Sequence, residues 1–506
     1  MIDKKILCIG NETRDTDDAV TVLAKNSNSI NHGLVSDSNF VPIHNGYYHT
    51  TVVDIFPGGI VNLAKHFSTV MLLDQDPASY PHFKSLVTTI RLMCDLESNG
   101  INTVYKDNRL AKNLLYWRKF LRENKSFCFY PFAALINDNE FAHICEKNHL
   151  PIAKINNSQE WKTDPEFTDI RNNMVNGTLI PKYCSDCYDR EEDGQESMRQ
   201  FETLEWASRL GATSVNDFIN IKTPAYYEIR PSNKCNIMCR TCDPEHSHLI
   251  EKEWKNIGFP LGDYKYQNTP FDQIDFESVQ AIYVGGGEPT VLSEFYDFLQ
   301  KCISIGQTNF DLNIGTNGLK FSDKLVKLLD HFNSVCLSVS FDGYKKVNDY
   351  IRWGSDFDTI VSNSLMMQER GHKIGLQTVF SMYSLTRIHE IFEFYDREFP
   401  KCSSLVNYAS DNTFSQFKPD NHPCPELVIE SMKRCQQTKV YYSNGRSIKS
   451  MVDLTLKYYS DPSYKVDVDR LKKFYDFNAK LDQSRGSRLA DYIPDLEEGC
   501  RLYLPI

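Results

Sequence analysis

Pro231-Ser-Asn-Lys-Cys235-Asn-Ile-Met-Cys239-Arg-Thr-Cys242 places three thiols within eight residues, separated by three residues and then by two. The β-rich run Tyr226 to Arg230 stands directly before it, so the cysteines fall on the loop that leaves a strand. Three thiolates leave one iron of a four-iron cubane without a protein ligand, which is what a cluster needs if it is to bind and act on a small molecule. The unequal spacing matches neither a paired zinc knuckle nor a thioredoxin-type CxxC. A structural zinc would need a fourth ligand, and His246 or His248 is close enough in sequence to supply one.

Downstream, five further β-rich runs follow: Val279 to Val284, Phe310 to Ile314, Val335 to Ser340, Ile374 to Ser381 and Leu405 to Tyr408. Amphipathic stretches of helical length, such as Ser293 to Ile305 and Asp323 to Phe332, lie between them. Repeated β-α units joined by right-handed crossovers give a parallel sheet that curls toward a barrel, with the site at the carboxyl ends of the strands. The predicted class is therefore α/β.

The supporting residues arrive in order. Gly285-Gly286-Gly287-Glu288-Pro289 ends the second run, Thr316-Asn317-Gly318 follows the third, Ser340-Phe341-Asp342-Gly343 ends the fourth, and Arg352 lies in Asp349-Tyr-Ile-Arg352-Trp-Gly. Glycines permit close backbone approach, and Glu288 offers an acceptor to an ammonium group. Together with CxxxCxxC, these segments resemble the radical S-adenosylmethionine (SAM) superfamily, which implies a partial (β/α)6 barrel, a [4Fe-4S] cluster on Cys235, Cys239 and Cys242, and SAM on its open iron. The resemblance assigns Gly286, Gly287, Glu288, Pro289, Asn317, Ser340, Asp342 and Arg352 to the SAM pocket, with Arg352 facing the SAM carboxylate. One departure is Thr241, where relatives often carry an aromatic residue or Met near adenine. Gln377 and Thr378 on the fifth run read equally well as ordinary strand residues and are given no role.

Upstream, Cys128-Phe-Tyr-Pro-Phe132, then Cys145, then Cys184-Ser-Asp-Cys187 supply four more thiols, enough to close a metal site. This pattern resembles the SPASM or twitch motif of radical SAM proteins of the phage and bacterial type, in which such cysteines hold an auxiliary [4Fe-4S] cluster. The stretch Trp161 to Gly177, with Arg171 inside it, is similar to that family's linking helix. Four sulfurs alone satisfy zinc as well as iron and sulfide. Relatives often pair cysteines where this chain has Cys145 alone, with His143 nearby as a substitute. Cys8, Cys94, Cys302, Cys336, Cys402, Cys424, Cys435 and Cys500 lack ligand spacing and read as scattered buried thiols.

A chain of 506 residues exceeds one ordinary core and suggests about three folded units at roughly 150 residues each. Strand-like runs at Lys5 to Gly10, Thr50 to Asp54 and Ser68 to Asp74 make residues 1–120 a small α/β domain, to which no chemistry is assigned. Residues 121–205 form the cysteine-rich auxiliary domain, 221–410 the SAM core, and 411–506 a mainly helical cap. A net charge of −11 without a basic block argues against nucleic acid as partner. The first residues lack the apolar run of a signal peptide or membrane span, and fifteen cysteines without disulfide spacing suit a reducing cytoplasm.

The resemblance implies reductive cleavage of SAM to a 5′-deoxyadenosyl radical that takes hydrogen from a substrate, with an external donor such as flavodoxin or ferredoxin supplying electrons. It also implies a peptide or protein substrate. A small-molecule substrate, or an iron-sulfur electron-transfer or binding protein without SAM turnover, are the rival readings.

Overall fold

The computed structural model describes residues 109–504 apart from 139–140, 149, 193–196, 262–267, 401, 410–417 and 444–445. Before 109 it describes only the strands Ile6–Gly10, Ala19–Leu23, Val41–Ile43, Tyr47–His49, Thr69–Leu72 and Asn102–Tyr105. The expected run at Thr50 to Asp54 lies outside the described residues. Two compact units emerge. One comprises 1–134, 144–150 and 162–222; the other comprises 135–143, 151–161 and 223–506.

Within the first unit, four of the early strands form a parallel sheet in the order 19–23, 6–10, 69–72, 102–105. Helices Arg109–Glu123, Pro165–Val175, Pro181–Glu192 and Met198–Arg209 follow. Trp117 and Phe127 are fully buried against each other and against Phe218.

The second unit is built on six consecutive parallel strands: β1 (Tyr226–Arg230), β2 (Ala281–Val284), β3 (Asp311–Thr316), β4 (Ser334–Ser340), β5 (Lys373–Phe380) and β6 (Ser403–Tyr408). They neighbour one another in chain order, the arrangement that short β-α connections favour. Beyond β1 the sheet continues through Ala134–Asp138, Phe141–His143 and Ala153–Lys154, giving nine strands. The result is a mixed α/β fold around a large parallel sheet.

Crossover helices α1 (His248–Ile257), α2 (Ser293–Ser304), α3 (Asp323–Leu329), α4 (Phe357–Glu369) and α5 (Ile388–Glu398) separate the strands. Side-chain oxygens of Ser247, Ser322 and Asp356 cap the first turns of α1, α3 and α4, and Gly258 ends α1 in the left-handed region at φ +73°. Leu312, Ile314, Val335, Leu337 and Val339 point to the fully buried face. Their alternates Asn313, Gly315, Ser338 and Ser340 are only half buried, so the opposite face of the sheet is polar and accessible.

Among the described residues after β6 the regular elements are helices, and helix Val468–Arg485 joins one core with Trp254 of α1, Tyr350 and Tyr383. Met238 and Cys242 pack against that core. No helix among the described residues is long and apolar enough to cross a membrane.

Candidate functional site

The three-cysteine loop leaves the carboxyl end of β1 and lies against the glycine turn that leaves β2. Gly287 N–H donates to the Ser232 carbonyl at 2.8 Å, and Glu288 N–H donates to the Lys234 carbonyl at 2.9 Å. This closeness is why glycine is needed there. A Cβ at Gly286, where φ is +99°, would stand 2.7 Å from the Ser232 oxygen, and one at Gly287 would overlap the Lys234 carbonyl. Pro289 begins a short 3-10 turn.

Glu288 is 1% exposed and joins three segments. Its Oε1 accepts from Thr290 N–H and Oγ1 and from Thr316 Oγ1, and its Oε2 accepts from Asn317 N–H at 2.7 Å. Burial pushes its carboxyl up while these donors pull it back, leaving it raised. Asn317 extends the brace by donating from Nδ2 to Asn236 Oδ1 at 2.7 Å, inside the cysteine loop.

From the other side, Met238–Cys239 pairs antiparallel with Arg352–Trp353, with Cys239 opposite Arg352. Arg240 N–H donates to Ile351 O at 2.7 Å. Arg352 Nη1 donates to Asp342 Oδ2 at 2.8 Å, and Asp342 Oδ1 accepts from Val379 N–H at the end of β5. Arg352 Nε is buried without a hydrogen-bond partner. Burial lowers the guanidinium pKa, but the Cys239 and Cys235 sulfurs and Asp342 outweigh it and hold the group charged. Ser340 ends β4 half buried, opposite Gln377 of β5.

Cys235, Cys239 and Cys242 lie near enough to act on one another electrostatically. Burial, then Cys239, push the Cys235 thiol up to about 12, and burial raises the other two. Ile237 N–H and Asp243 N–H point at the sulfurs of Cys235 and Cys242. The two histidines singled out from sequence have other engagements: His248 Nδ1 accepts Cys235 N–H at 3.2 Å, and His246 Nδ1 lies 2.8 Å from Asp243 Oδ1.

In the first unit, Cys128, Cys145, Cys184 and Cys187 also gather. Burial first, then the other three sulfurs, raise Cys128. Burial pushes Cys145 to about 12 and Cys184 to about 11. Backbone N–H groups of Tyr130, Lys147, Asn148 and Arg199 face these sulfurs. Two buried arginines brace the setting. Arg199, paired with Glu191 at 2.6 Å, donates to the carbonyls of Leu121, Asn124 and Phe127. Arg171 donates to the Pro131 and Lys162 carbonyls.

Among the described residues no group of three or more His, Cys, Asp or Glu is arranged to hold a single metal ion. A four-iron cluster instead seats each thiolate on its own iron, and its sulfurs stand farther apart than ligands sharing one ion. The residues present suit that group: buried thiols in threes and fours, N–H donors aimed at sulfur, and beside the three-cysteine loop an arginine with an unpaired buried Nε.

Sequence reasoning missed Asn236, Arg240, Thr290 and Arg199, and it named Arg171 only as part of a linking helix. Asn236 and Arg240 lie between the cysteines, but nothing in local spacing marks their distant partners.

Residues 229–394 match the model of the radical SAM superfamily, so this part of the chain is a radical SAM domain. An uncharacterized protein of Methanothermobacter thermautotrophicus is 30% identical over 113 residues, 22% of this chain and 43% of that protein. The sporulation killing factor maturation protein SkfB of Bacillus subtilis is 25% identical over 134 residues, 26% of this chain and 29% of that protein. The chain thus spans less than half the length of the curated relatives it matches. Among solved structures it is similar to anSMEcpe with bound AdoMet, at 15% identity, 42% of this chain, 60% of that chain and TM-score 0.33. It is also similar to Streptococcus suis SuiB bound to S-adenosylmethionine, at 18% identity, 55% of this chain, 64% of that chain and TM-score 0.29.

Proposed function

We propose that the protein is a radical SAM enzyme whose Cys235, Cys239 and Cys242 hold a [4Fe-4S] cluster and whose surrounding loops hold SAM. The observation that carries this reading is Arg352, whose side chain stands beside two of the three gathered thiols with a buried, unpartnered Nε. When bound, the cofactors supply one-electron reductive cleavage of the sulfonium to methionine and a 5′-deoxyadenosyl radical.

The chain's own residues then have distinct tasks. Cys235, Cys239 and Cys242 ligate, and the N–H groups facing their sulfurs tune the cluster's potential. Arg352, held by Asp342, turns a fixed positive charge toward an anionic group of SAM. Glu288 and Asn317 keep the loops after β1, β2 and β3 in register, while Gly286, Gly287 and Pro289 shape the turn that receives the amino end of SAM. Ser340, at the lip of β4, faces the ribose or carboxylate.

The reading extends to Cys128, Cys145, Cys184 and Cys187 as ligands of an auxiliary [4Fe-4S] cluster, in a SPASM or twitch-like domain ahead of a partial barrel. A peptide or protein is the proposed substrate, in a cytoplasmic setting with an external flavodoxin or ferredoxin-like reductant. SkfB, by its name a maturation protein, supports that substrate class.

The test is anaerobic reconstitution of the full chain, then assay for 5′-deoxyadenosine with SAM and dithionite beside a Cys235→Ala, Cys239→Ala, Cys242→Ala variant. Formation by the wild type alone supports the reading. Absence of product from a fully loaded wild type moves the electron-transfer or binding reading ahead.

A further inference from the structure

Arg240 sits inside the cysteine motif, yet its side chain turns away from it and is 1% exposed. Its polar atoms reach Tyr350 and the C-terminal segment around helix Val468–Arg485. Nε donates to Tyr350 O at 2.9 Å, Nη1 to Asn478 Oδ1 at 3.1 Å, and Nη2 to Asp482 Oδ1 and to Ser487 Oγ at 3.0 Å. The guanidinium also lies 3.6 Å from the Tyr350 ring centroid. Asp482 is satisfied in turn by Tyr350 Oη, Ser487 Oγ and Leu489 N–H.

A second buried pair repeats the tie beyond Cys242. Arg485, from the last turn of helix Val468–Arg485, grips Glu253 of α1 with bonds of 2.8 and 2.6 Å, at 1% and 6% side-chain exposure. The apolar contacts agree, since Met238 and Cys242 pack on the core that Leu471, Phe474, Phe477 and Leu481 of that helix help to build. A buried charge pair is costly to desolvate and repays this mainly by fixing geometry when its polar atoms are satisfied, as those of Arg240 and Asp482 are, whereas Arg485 leaves Nη1 without a partner.

We infer that Arg240 and Asp482 are positioning residues that lock the Cys239–Cys242 loop to helix Val468–Arg485, so that the C-terminal segment fixes where the cluster ligands stand. The loop is then held on three sides: by the glycine turn after β2, by the strand pairing at Arg352, and by this helix. The cluster part of the inference rests on the function proposed above. The anchoring itself does not.

Removing Arg240 alone would strand Asp482 as an unpaired buried charge, with a risk of misfolding. Arg240→Met combined with Asp482→Asn avoids that, because the amide oxygen still accepts from Leu489 N–H and no charge is left behind. Arg240→Lys is the conservative partner, keeping the charge but losing the planar fork.

The reconstituted full-length chain and both variants would be compared by melting, iron content, amide hydrogen exchange and the change that SAM produces in the spin-resonance spectrum of the reduced cluster. For the double variant we expect wild-type melting of the sheet and at least about tenfold faster exchange over 235–242. We also expect a weakened spectral response to SAM and a KM for SAM raised more than kcat is lowered. Arg240→Lys should fall between. Unchanged exchange over 235–242 overturns the anchoring, and faster exchange with an unaltered SAM response overturns the positioning role. A wild type whose spectrum ignores SAM sinks the proposed function instead, while the exchange result still decides the anchor.

Discussion

Arg352 and Asp342 meet at 2.8 Å on the rim of the parallel sheet, and the backbone of the same arginine is paired with Cys239. One residue therefore sets both the height of the cysteine loop and the position of a buried positive charge. Arg352→Lys keeps the charge but loses the fork, and SAM affinity measured by equilibrium dialysis should drop about tenfold, roughly 1.4 kcal/mol. Unaltered affinity would remove Arg352 from the pocket.

Gly287 offers a steric test. With a methyl group there the Lys234 carbonyl must move, carrying the loop before Cys235 with it. Gly287→Ala should lower the iron retained at the three-cysteine site by at least half, while far-ultraviolet dichroism stays that of the wild type, because the strain is confined to a turn. Full iron retention by this variant would show that the turn yields easily.

For the four upstream cysteines, a Cys184→Ala, Cys187→Ala variant should carry about four irons where the wild type carries about eight, with its SAM-dependent chemistry at the other loop still detectable. Metal analysis that found one zinc per wild-type chain in place of the second set of irons would assign the site to zinc.

His422 gives a dependence on pH. It is fully buried, its Nδ1 accepts from Cys424 N–H at 3.1 Å, and burial pulls its pKa from 6.5 down to about 4. Between those values the unfolded imidazole takes up a proton that the folded one refuses, so stability falls as pH drops through this window, by up to roughly 3 kcal/mol. Denaturant titrations of His422→Gln should show a slope shallower by up to one proton over the same range. An unchanged slope would mean that His422 is protonated in the folded chain.

Much of this architecture was legible in the sequence because its signals are local. The run Tyr226 to Arg230 is β1 as expected, and the expected runs for the other five strands differ from the structure by two residues or fewer at each end. Alternation of apolar and polar residues at period two marks a half-accessible strand, and the glycine and cysteine turns announce themselves by spacing. What stayed hidden depends on partners far away along the chain. Arg240 reaches Asp482 across 242 residues, and Asn317 reaches Asn236 across 81. Neither separation leaves a periodicity. The extension of the sheet by Ala134–Asp138 and its neighbours was equally silent, since a hairpin reads the same whichever sheet it joins.

That extension bears on how the chain can be divided. Residues 135–143 and 151–161 belong to the unit otherwise made from 223 onward, while 144–150 belongs to the other, so the polypeptide passes between the two units five times. No single scission leaves both units whole. A piece starting at Thr223 would expose the flank of β1 that the hairpin normally covers, an invitation to pair with another chain. Neither unit can therefore be traded to another protein by a simple cut and join.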